Sequence, residues 1–156
     1  MCSSDLLLAR GLVVLDTPGL NAIGAEPELT LSLLPSAHAT VFVLAADSGV
    51  TKSDLAIWRE HLAGNAAERF VVLNKIDALV DPLATQAEVD AHIDRQCEQT
   101  AATLGVPRER IFPLSARNAL AGRVAGDAEL LARSRLPALE QAITAQLLPR
   151  QRELMM

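Results

Sequence analysis

Aromatic side chains are scarce in this sequence of 156 residues, which has three Phe, one Trp and no Tyr. Hydrophobic residues still make up 50% of the chain, so aliphatic side chains must build the core of a single domain. The two cysteines, Cys2 and Cys97, are too few for a disulfide framework. This excludes the small disulfide-stabilised secreted class and predicts a reduced, cytoplasmic compartment.

Basic residues are also in deficit, because 14 Lys and Arg stand against 19 Asp and Glu and give a formal net charge of −5. This balance argues against a surface that holds nucleic acid by bulk charge, and no nucleic-acid partner is expected. No uncharged apolar run approaches the roughly 20 residues that span a bilayer. No basic stretch precedes Leu6–Leu8, so a secretory signal is not predicted either.

Four short apolar runs recur along the chain, and each is continuous rather than alternating. They cover Leu12–Asp16, Ala39–Ala46, Phe70–Asn74 and Arg110–Ser115. Continuous apolar runs are typical of strands that are buried on both faces of a parallel sheet. We therefore predict four strands, with the longer segments between them forming helices.

Helical patterns separate the four runs, and this alternation predicts the α/β class. Thr51 is a predicted N-cap, with Asp54 at the capping-box position. Gly105 should end the helix that precedes it. The stretch from Ala119 to Arg133 shows the weakest pattern. The predicted helices cover approximately residues 26–34, 51–62, 85–104 and 134–148.

Three short polar motifs follow three of the predicted strands. They are Asp16-Thr17-Pro18-Gly19, Asn74-Lys75-Ile76-Asp77 and Ser115-Ala116-Arg117. In open α/β sheets, ligands bind beyond the carboxyl ends of the strands. The three motifs should therefore meet at one rim of the sheet, where a single ligand could contact all of them.

This ordered set resembles the guanine-nucleotide site of the P-loop GTPases, over most of the chain from Leu12 to about Leu148. The stretches Gly11–Asn21 and Ala46–Asp54 are most similar to the bacterial dynamin-like GTPases, as is the long segment after Arg117. The resemblance implies a mostly parallel, Rossmann-like sheet with flanking helices. It also implies GTP or GDP as the ligand, with Mg²⁺.

The chemistry of the second motif suits a guanine base. The Asp77 carboxylate can accept hydrogen bonds from both N1–H and the exocyclic amine, a pair of donors that adenine does not present. The resemblance implies that Asn74 ties its loop to neighbouring loops and that the aliphatic stem of Lys75 lies over the purine. It also implies that the Ala116 N–H faces the guanine carbonyl, with Ser115 beside it in the same loop.

The first motif is assigned to the phosphates by the same resemblance. Asp16 would hold Mg²⁺ through a water molecule, and the Gly19 N–H would meet the γ-phosphate, with Thr17 and Pro18 in the same binding loop. Residues 19–34 would form a switch segment that is ordered by the triphosphate. No side chain in this sequence is a predicted catalytic residue.

A phosphate loop of the pattern G-x-x-x-x-G-K-[ST] is missing from the sequence, since none of its eight glycines precedes a lysine. The GTPase sheet is therefore expected to lack its first strand, its phosphate loop and its first helix. We interpret residues 1–156 as a partial GTPase domain from a truncated gene model or fragment, inactive alone. Residues of about 149–156 would begin a following helical stalk.

Three functional hypotheses remain open at this point. The first is a dynamin-like GTPase whose intact parent hydrolyses GTP, remodels membranes as a peripheral membrane protein and forms a homodimer through this domain. The second is an Era-type GTPase associated with the ribosome or with RNA. The sequences of such GTPases also contain Asp-Thr-Pro-Gly-Leu. The third is a pseudo-GTPase that serves as a non-catalytic interaction module.

Overall fold

The computed structural model describes residues 11–17, 26–64 and 68–154. Within these ranges, β1 (Ala39–Ala45), β2 (Glu68–Asn74) and β3 (Ile111–Pro113) form a parallel sheet in the order β1-β2-β3. The register pairs the last residue of β1 with Asn74, the last residue of β2. Three of the four predicted strands are confirmed, and their carboxyl ends lie at one rim of the sheet.

Helices precede, connect and follow the strands. They are α1 (Glu26–Leu33), α2 (Lys52–Ile57), α3 (Gln86–Leu104), α4 (Ala116–Ala125), α5 (Ala128–Arg133) and α6 (Leu136–Leu154). A π-helical turn continues α2 at Trp58–Leu62, and 3₁₀ turns lie at Leu34–Ser36, Ile76–Leu79 and Arg108–Arg110. The described part of the chain contains no helix of sufficient length and hydropathy to cross a bilayer.

The helix boundaries follow from local hydrogen bonding. At the start of α2, the Thr51 side chain accepts a hydrogen bond from the Asp54 N–H while Asp54 accepts one from the Thr51 N–H. Thr85 and Glu88 form the same capping box at the start of α3. Gly105 ends α3 with φ of 69°, a conformation that favours glycine. The predicted N-cap, capping box and helix end are confirmed.

The core lies on both sides of β2, the central strand. Phe70, Val71, Val72 and Leu73 are at most 3% exposed. Val71 and Leu73 belong to the cluster that contains the apolar face of α3, whereas Phe70 and Val72 pack in a second cluster with Leu139 of α6. Burial on both faces is the reason that this run is continuously apolar.

The predicted strand over Leu12–Asp16 is wrong. Residues 12–17 have no regular secondary structure, and Val13, Val14 and Leu15 are 79%, 69% and 65% exposed. A strand forms only where a neighbour pairs with its backbone. In the ranges that the structure describes, β1 is hydrogen-bonded to β2 alone, so this segment has no strand beside it.

The weakly patterned stretch from Ala119 to Arg133 is helical, because α4 covers its first part and α5 its last. The two helices approach very closely at Gly122, where a Cβ atom would lie 2.8 Å from the Leu131 backbone nitrogen. The contact depends on the absence of a side chain at Gly122 rather than on a broad apolar stripe, and Leu120 and Val124 of α4 are exposed. The usual periodicity is therefore absent from the sequence here.

Candidate functional site

The loop after β2 has a defined and unusual backbone. Lys75 has φ of 65°, in the left-handed region that residues with a Cβ seldom occupy. Its N–H donates a 2.8 Å hydrogen bond to the side-chain oxygen Oδ1 of Asn74. The chain then turns into the 3₁₀ segment Ile76–Leu79, which contains Asp77. The Asn74 amide thus supplies the acceptor that shapes this turn.

The same amide joins this loop to the loop after β3. Oδ1 of Asn74 also accepts a 3.0 Å hydrogen bond from the Ala116 N–H. Beside it, the Ile76 N–H donates to the Leu114 carbonyl over 3.3 Å, and the Leu114 N–H donates to the Leu73 carbonyl over 3.0 Å. Backbone and side-chain hydrogen bonds therefore hold the second and third motifs together. The structure gives the Ala116 N–H, assigned by resemblance to the guanine carbonyl, an acceptor within the protein.

Ser115 fixes the Asp77 carboxylate. Its hydroxyl donates a 2.6 Å hydrogen bond to Oδ1 of Asp77, and its oxygen accepts one of 3.1 Å from the Asn118 N–H at the start of α4. Ser115 is 1% exposed, whereas Asp77 is partly exposed, so the hydroxyl is buried and the carboxylate stays accessible from solvent. A carboxylate has about four lone-pair positions. Asp77 therefore keeps acceptor capacity for a ligand while Ser115 orients it.

Lys75 contacts the loop after β1. Its ammonium nitrogen Nζ lies 3.9 Å from Oδ2 of Asp47, and both side chains are about half exposed. The Ala46 N–H donates to the Asn74 carbonyl over 2.8 Å, so the carboxyl ends of β1 and β2 lie side by side. The sequence prediction did not include Asp47. Its position directly behind a strand was the signal that could have found it.

The first motif lies apart from this network. Asp16 and Thr17 are exposed in the segment 12–17, and Pro18 and Gly19 lie outside the described residues. No hydrogen bond or ion pair connects Asp16 to another residue that the structure describes. The described ranges also contain no group of three or more His, Cys, Asp or Glu placed to hold a metal ion. Their donors do not make a complete Mg²⁺ site, and we derive no step through that ion.

The second and third motifs do fit a guanine base. Asp77 offers an oriented carboxylate acceptor at the carboxyl ends of β2 and β3. It lies two residues after Lys75, whose backbone is in the left-handed region. Two adjacent loops bring together five of the predicted site residues, which are Asn74, Lys75, Asp77, Ser115 and Ala116. This arrangement can bind and orient a small planar ligand with neighbouring donors.

The sequence of this chain is similar to the sequences of two known proteins. No family model matches the sequence. A protein of Arabidopsis thaliana named as a probable transmembrane GTPase, FZO-like and chloroplastic, is 31% identical over 126 residues, which are 80% of this chain and 13% of that protein. A bacterial dynamin-like protein of Nostoc punctiforme is 29% identical over 131 residues, which are 76% of this chain and 19% of that protein. The chain thus spans less than a fifth of either relative.

Solved structures agree on the fold. Era in complex with a magnesium-bound GTP analogue and a segment of 16S ribosomal RNA matches with a TM-score of 0.52 and 21% identity, over 82% of this chain and 37% of that chain. Era of Aquifex aeolicus bound to GDP and AlF₄⁻ gives a TM-score of 0.53 at the same identity and coverage. The predicted α/β class with a parallel sheet is confirmed. The chain is related to the P-loop GTPases, in sequence to dynamin-like members and in fold to Era.

Proposed function

We propose that this chain provides the guanine-binding part of a dynamin-like GTPase. The observation that carries the proposal is the hydrogen-bond network in which Ser115 orients Asp77 and Asn74 joins their two loops. Such a network holds a carboxylate in a fixed direction, and a fixed carboxylate selects a base with two adjacent donors. In this proposal Asp77 is the base-selecting residue and Lys75 covers the purine with its stem.

Sequence similarity supports the dynamin-like alternative, because the relatives at 31% and 29% identity include a dynamin-like protein and an FZO-like GTPase. The Era alternative is supported by fold, and one of the matching Era structures contains ribosomal RNA. The net charge of −5 argues against an RNA-binding role for this chain. We therefore favour the dynamin-like proposal.

For the longer protein to which such a domain belongs, we propose GTP hydrolysis with Mg²⁺, a homodimer through this domain and peripheral association with a membrane from the cytoplasmic side. Phosphate binding and hydrolysis need a Gly-rich loop and a magnesium ligand set. Neither is present among the described residues. This chain alone is therefore proposed to bind the base weakly and to hydrolyse nothing.

The proposal is tested by NMR titration of the ¹⁵N-labelled chain with GMP and with XMP. We expect GMP to shift the backbone amides of Lys75, Ser115 and Ala116 saturably at millimolar concentration, while XMP shifts them little. In Asp77→Asn, one acceptor oxygen becomes a donor amide that pairs with the 2-carbonyl of xanthine. The preference should then change by about a hundredfold in favour of XMP, since two hydrogen bonds to a charged acceptor are altered.

Asp81→Asn is the matched control. Asp81 is exposed in the segment that follows the 3₁₀ turn, and its Oδ1 accepts a 2.8 Å hydrogen bond from the Leu83 N–H, which an Asn oxygen can also accept. This variant should keep the GMP preference of the wild-type chain. Equal shifts with GMP and XMP in wild-type protein, or shifts confined to another face, would reject the guanine-binding proposal.

A further inference from the structure

The turn between α5 and α6 makes a direct contact with the base-binding loop. The Ser134 carbonyl accepts a 2.9 Å hydrogen bond from the Ser115 N–H. Ser134 is fully buried, at 0% exposure. This turn belongs to none of the three motifs, yet it holds the backbone of the residue whose hydroxyl orients Asp77.

Arg135 gives this turn its shape and holds it there. Its φ is 63°, a left-handed conformation that a residue with a Cβ adopts only where its surroundings impose it. The Arg135 N–H donates to the Ala132 carbonyl over 3.1 Å. Its guanidinium reaches across to α3 and donates a 2.8 Å hydrogen bond to Oδ1 of Asp90. The ion pair thus ties the turn to α3.

The other side of the turn is held by α5, which is itself fixed against α4. The Asp127 N–H donates to the Gly122 carbonyl over 2.8 Å. The absence of a Cβ at Gly122 allows Leu131 of α5 to approach. The Ser134 hydroxyl then donates to the Leu131 carbonyl and accepts a 3.3 Å hydrogen bond from the Leu136 N–H. The turn therefore has support from α3, α4 and α5.

These contacts form a continuous path from α3 to the base-binding carboxylate. We propose that Arg135, anchored by Asp90, is a positioning residue for base selection. It fixes the turn so that the Ser134 carbonyl holds the Ser115 N–H, and this aims the Ser115 hydroxyl at Asp77. The base that Asp77 selects rests on the proposed function. The positioning of the Ser115 hydroxyl and the Asp77 carboxylate requires no nucleotide.

Two variants of the full chain test this role by different routes. Asp90→Ala removes the anchor from a half-exposed position on α3 and leaves the turn unaltered. Arg135→Gly removes the guanidinium and keeps the left-handed φ without strain. Both variants should speed amide hydrogen exchange of the Ser115 N–H by about two- to fivefold relative to that of Val72 in β2, as expected for loss of a partly exposed ion pair. The preference for GMP over XMP should fall by a similar factor.

Asp94→Ala is the matched control, because Asp94 lies one turn further along the same helix and pairs with Arg108 over 3.2 Å. This pair has a similar exposure, and the hydrogen bonds of Arg108 go to Asp94 and to the Ile111 carbonyl rather than to the turn. Asp94→Ala should leave Ser115 exchange unchanged relative to Val72. Exchange at Ser115 that is unaltered in both test variants, or accelerated equally in the control, would overturn the proposal. Absence of GMP binding by the wild-type chain would reject the proposed function, while the exchange rates would still decide the positioning role.

Discussion

The tripeptide Val-Val-Leu occurs twice in this chain with opposite outcomes. At Val71–Leu73 it forms the centre of β2, and its side chains are at most 3% exposed. At Val13–Leu15 it has no regular secondary structure, and its side chains are 65–79% exposed. Each copy is followed by a polar residue of a motif for which we propose a role in nucleotide binding, Asn74 in one and Asp16 in the other. Only the first copy delivers its polar residue to an ordered site.

The difference teaches that strand neighbours, rather than strand propensity, determine which motif is assembled. β2 has β1 and β3 on its two sides and helices on its two faces. The segment 12–17 has no such neighbours in the described structure. Intrinsic strand preferences amount to about 1 kcal/mol and depend strongly on packing context. They cannot order an isolated run, so Asn74 lies in a hydrogen-bonded loop whereas Asp16 lies in an exposed segment without regular structure.

The largest expected effect comes from supplying the missing neighbour. A segment joined ahead of Gly11, carrying a strand and a Gly-x-x-x-x-Gly-Lys-Ser loop, should raise the affinity for Mg-GTP by about a thousandfold, or roughly 4 kcal/mol. The loop N–H groups and its lysine bind phosphates, which carry most of the charge of the ligand. Calorimetric titration measures the gain. For the chain alone, it should show no more than the weak, millimolar binding that the base itself provides.

The same extension with its loop lysine changed to alanine is the control, and it should lose most of the gain. It should still protect the amides of Leu12–Leu15 from exchange, because the added strand remains. A micromolar dissociation constant for GTP in the unextended chain would contradict the comparison drawn here, since the phosphate side would then already be assembled.

The second prediction compares two register partners on neighbouring strands. Val43 of β1 pairs with Val72 of β2, but Val43 is 58% exposed and Val72 is 3% exposed. Val72→Ala should lower the free energy of unfolding by about 2–3 kcal/mol, since it leaves a cavity in the core. Val43→Ala should change it by less than about 0.5 kcal/mol. Urea denaturation of both variants measures the difference.

The extended chain sharpens this test. If the added strand and its helix cover β1, Val43→Ala should become more costly there while the effect of Val72→Ala stays constant. Equal effects of the two substitutions in the unextended chain would mean that β1 is already covered on its exposed face. That result would remove the structural contrast between the two sides of the site.

The third prediction concerns Asn74, whose side chain joins the two ordered loops. Asn74→Ala leaves the N–H groups of Lys75 and Ala116 without their common acceptor. We expect a loss of about 1–2 kcal/mol in unfolding free energy, because two hydrogen bonds that each contribute about 0.5–1 kcal/mol are removed. Asn118→Ala is the control, since only the backbone of Asn118 takes part in the network. A loss in the control as large as in Asn74→Ala would show that the side-chain links do not stabilise this site.

Much of this fold follows from the sequence because local signals and long-range packing agree. Helix α3 is the clearest case, with its apolar stripe, its capping residue Thr85 and its terminal Gly105. The positions of Asn74 and Ser115 behind strands also predicted that their loops would meet. The predicted strand at Leu12–Asp16 is wrong because no described strand lies beside this apolar run to form hydrogen bonds with its backbone.

Other parts of the site could not be predicted from the sequence. The Asp47–Lys75 and Asp90–Arg135 pairs join residues far apart in the chain. The position of Asp47 behind a strand marks it as a candidate, but no motif specifies which residue either carboxylate pairs with. The left-handed conformation of Arg135 has no sequence signal, because glycine or asparagine is the usual residue in that region. Helices α4 and α5 were missed since their contact depends on the small size of Gly122 rather than on a stripe.

The smallest expected effect is a pH dependence of the free energy of unfolding that arises at the start of α3. The pKa of Glu88 is lowered from 4.5 because its carboxylate accepts hydrogen bonds from the backbone N–H and the hydroxyl of Thr85 at the start of α3. A carboxylate whose pKa is lower in the folded chain stabilises the fold above its unfolded pKa. This contribution is lost as the pH falls through the folded value.

Glu88→Gln should therefore lower the urea midpoint slightly at about pH 6, and the difference from wild type should shrink towards pH 3. Glu98→Gln on the same helix is the control, since Glu98 is exposed away from the capping box, and its difference from wild type should be smaller at each pH. The Ser115 amide gives a second measurement in the same samples. Because Asp90 projects from α3, fraying of its first turn at low pH should also loosen the Arg135 anchor and speed exchange at Ser115. The opposite result is that the Glu88 substitution leaves the exchange of the Ser115 amide, relative to that of Val72, unchanged at every pH. That result would contradict the expected coupling between the first turn of α3 and the loop that contains Ser115.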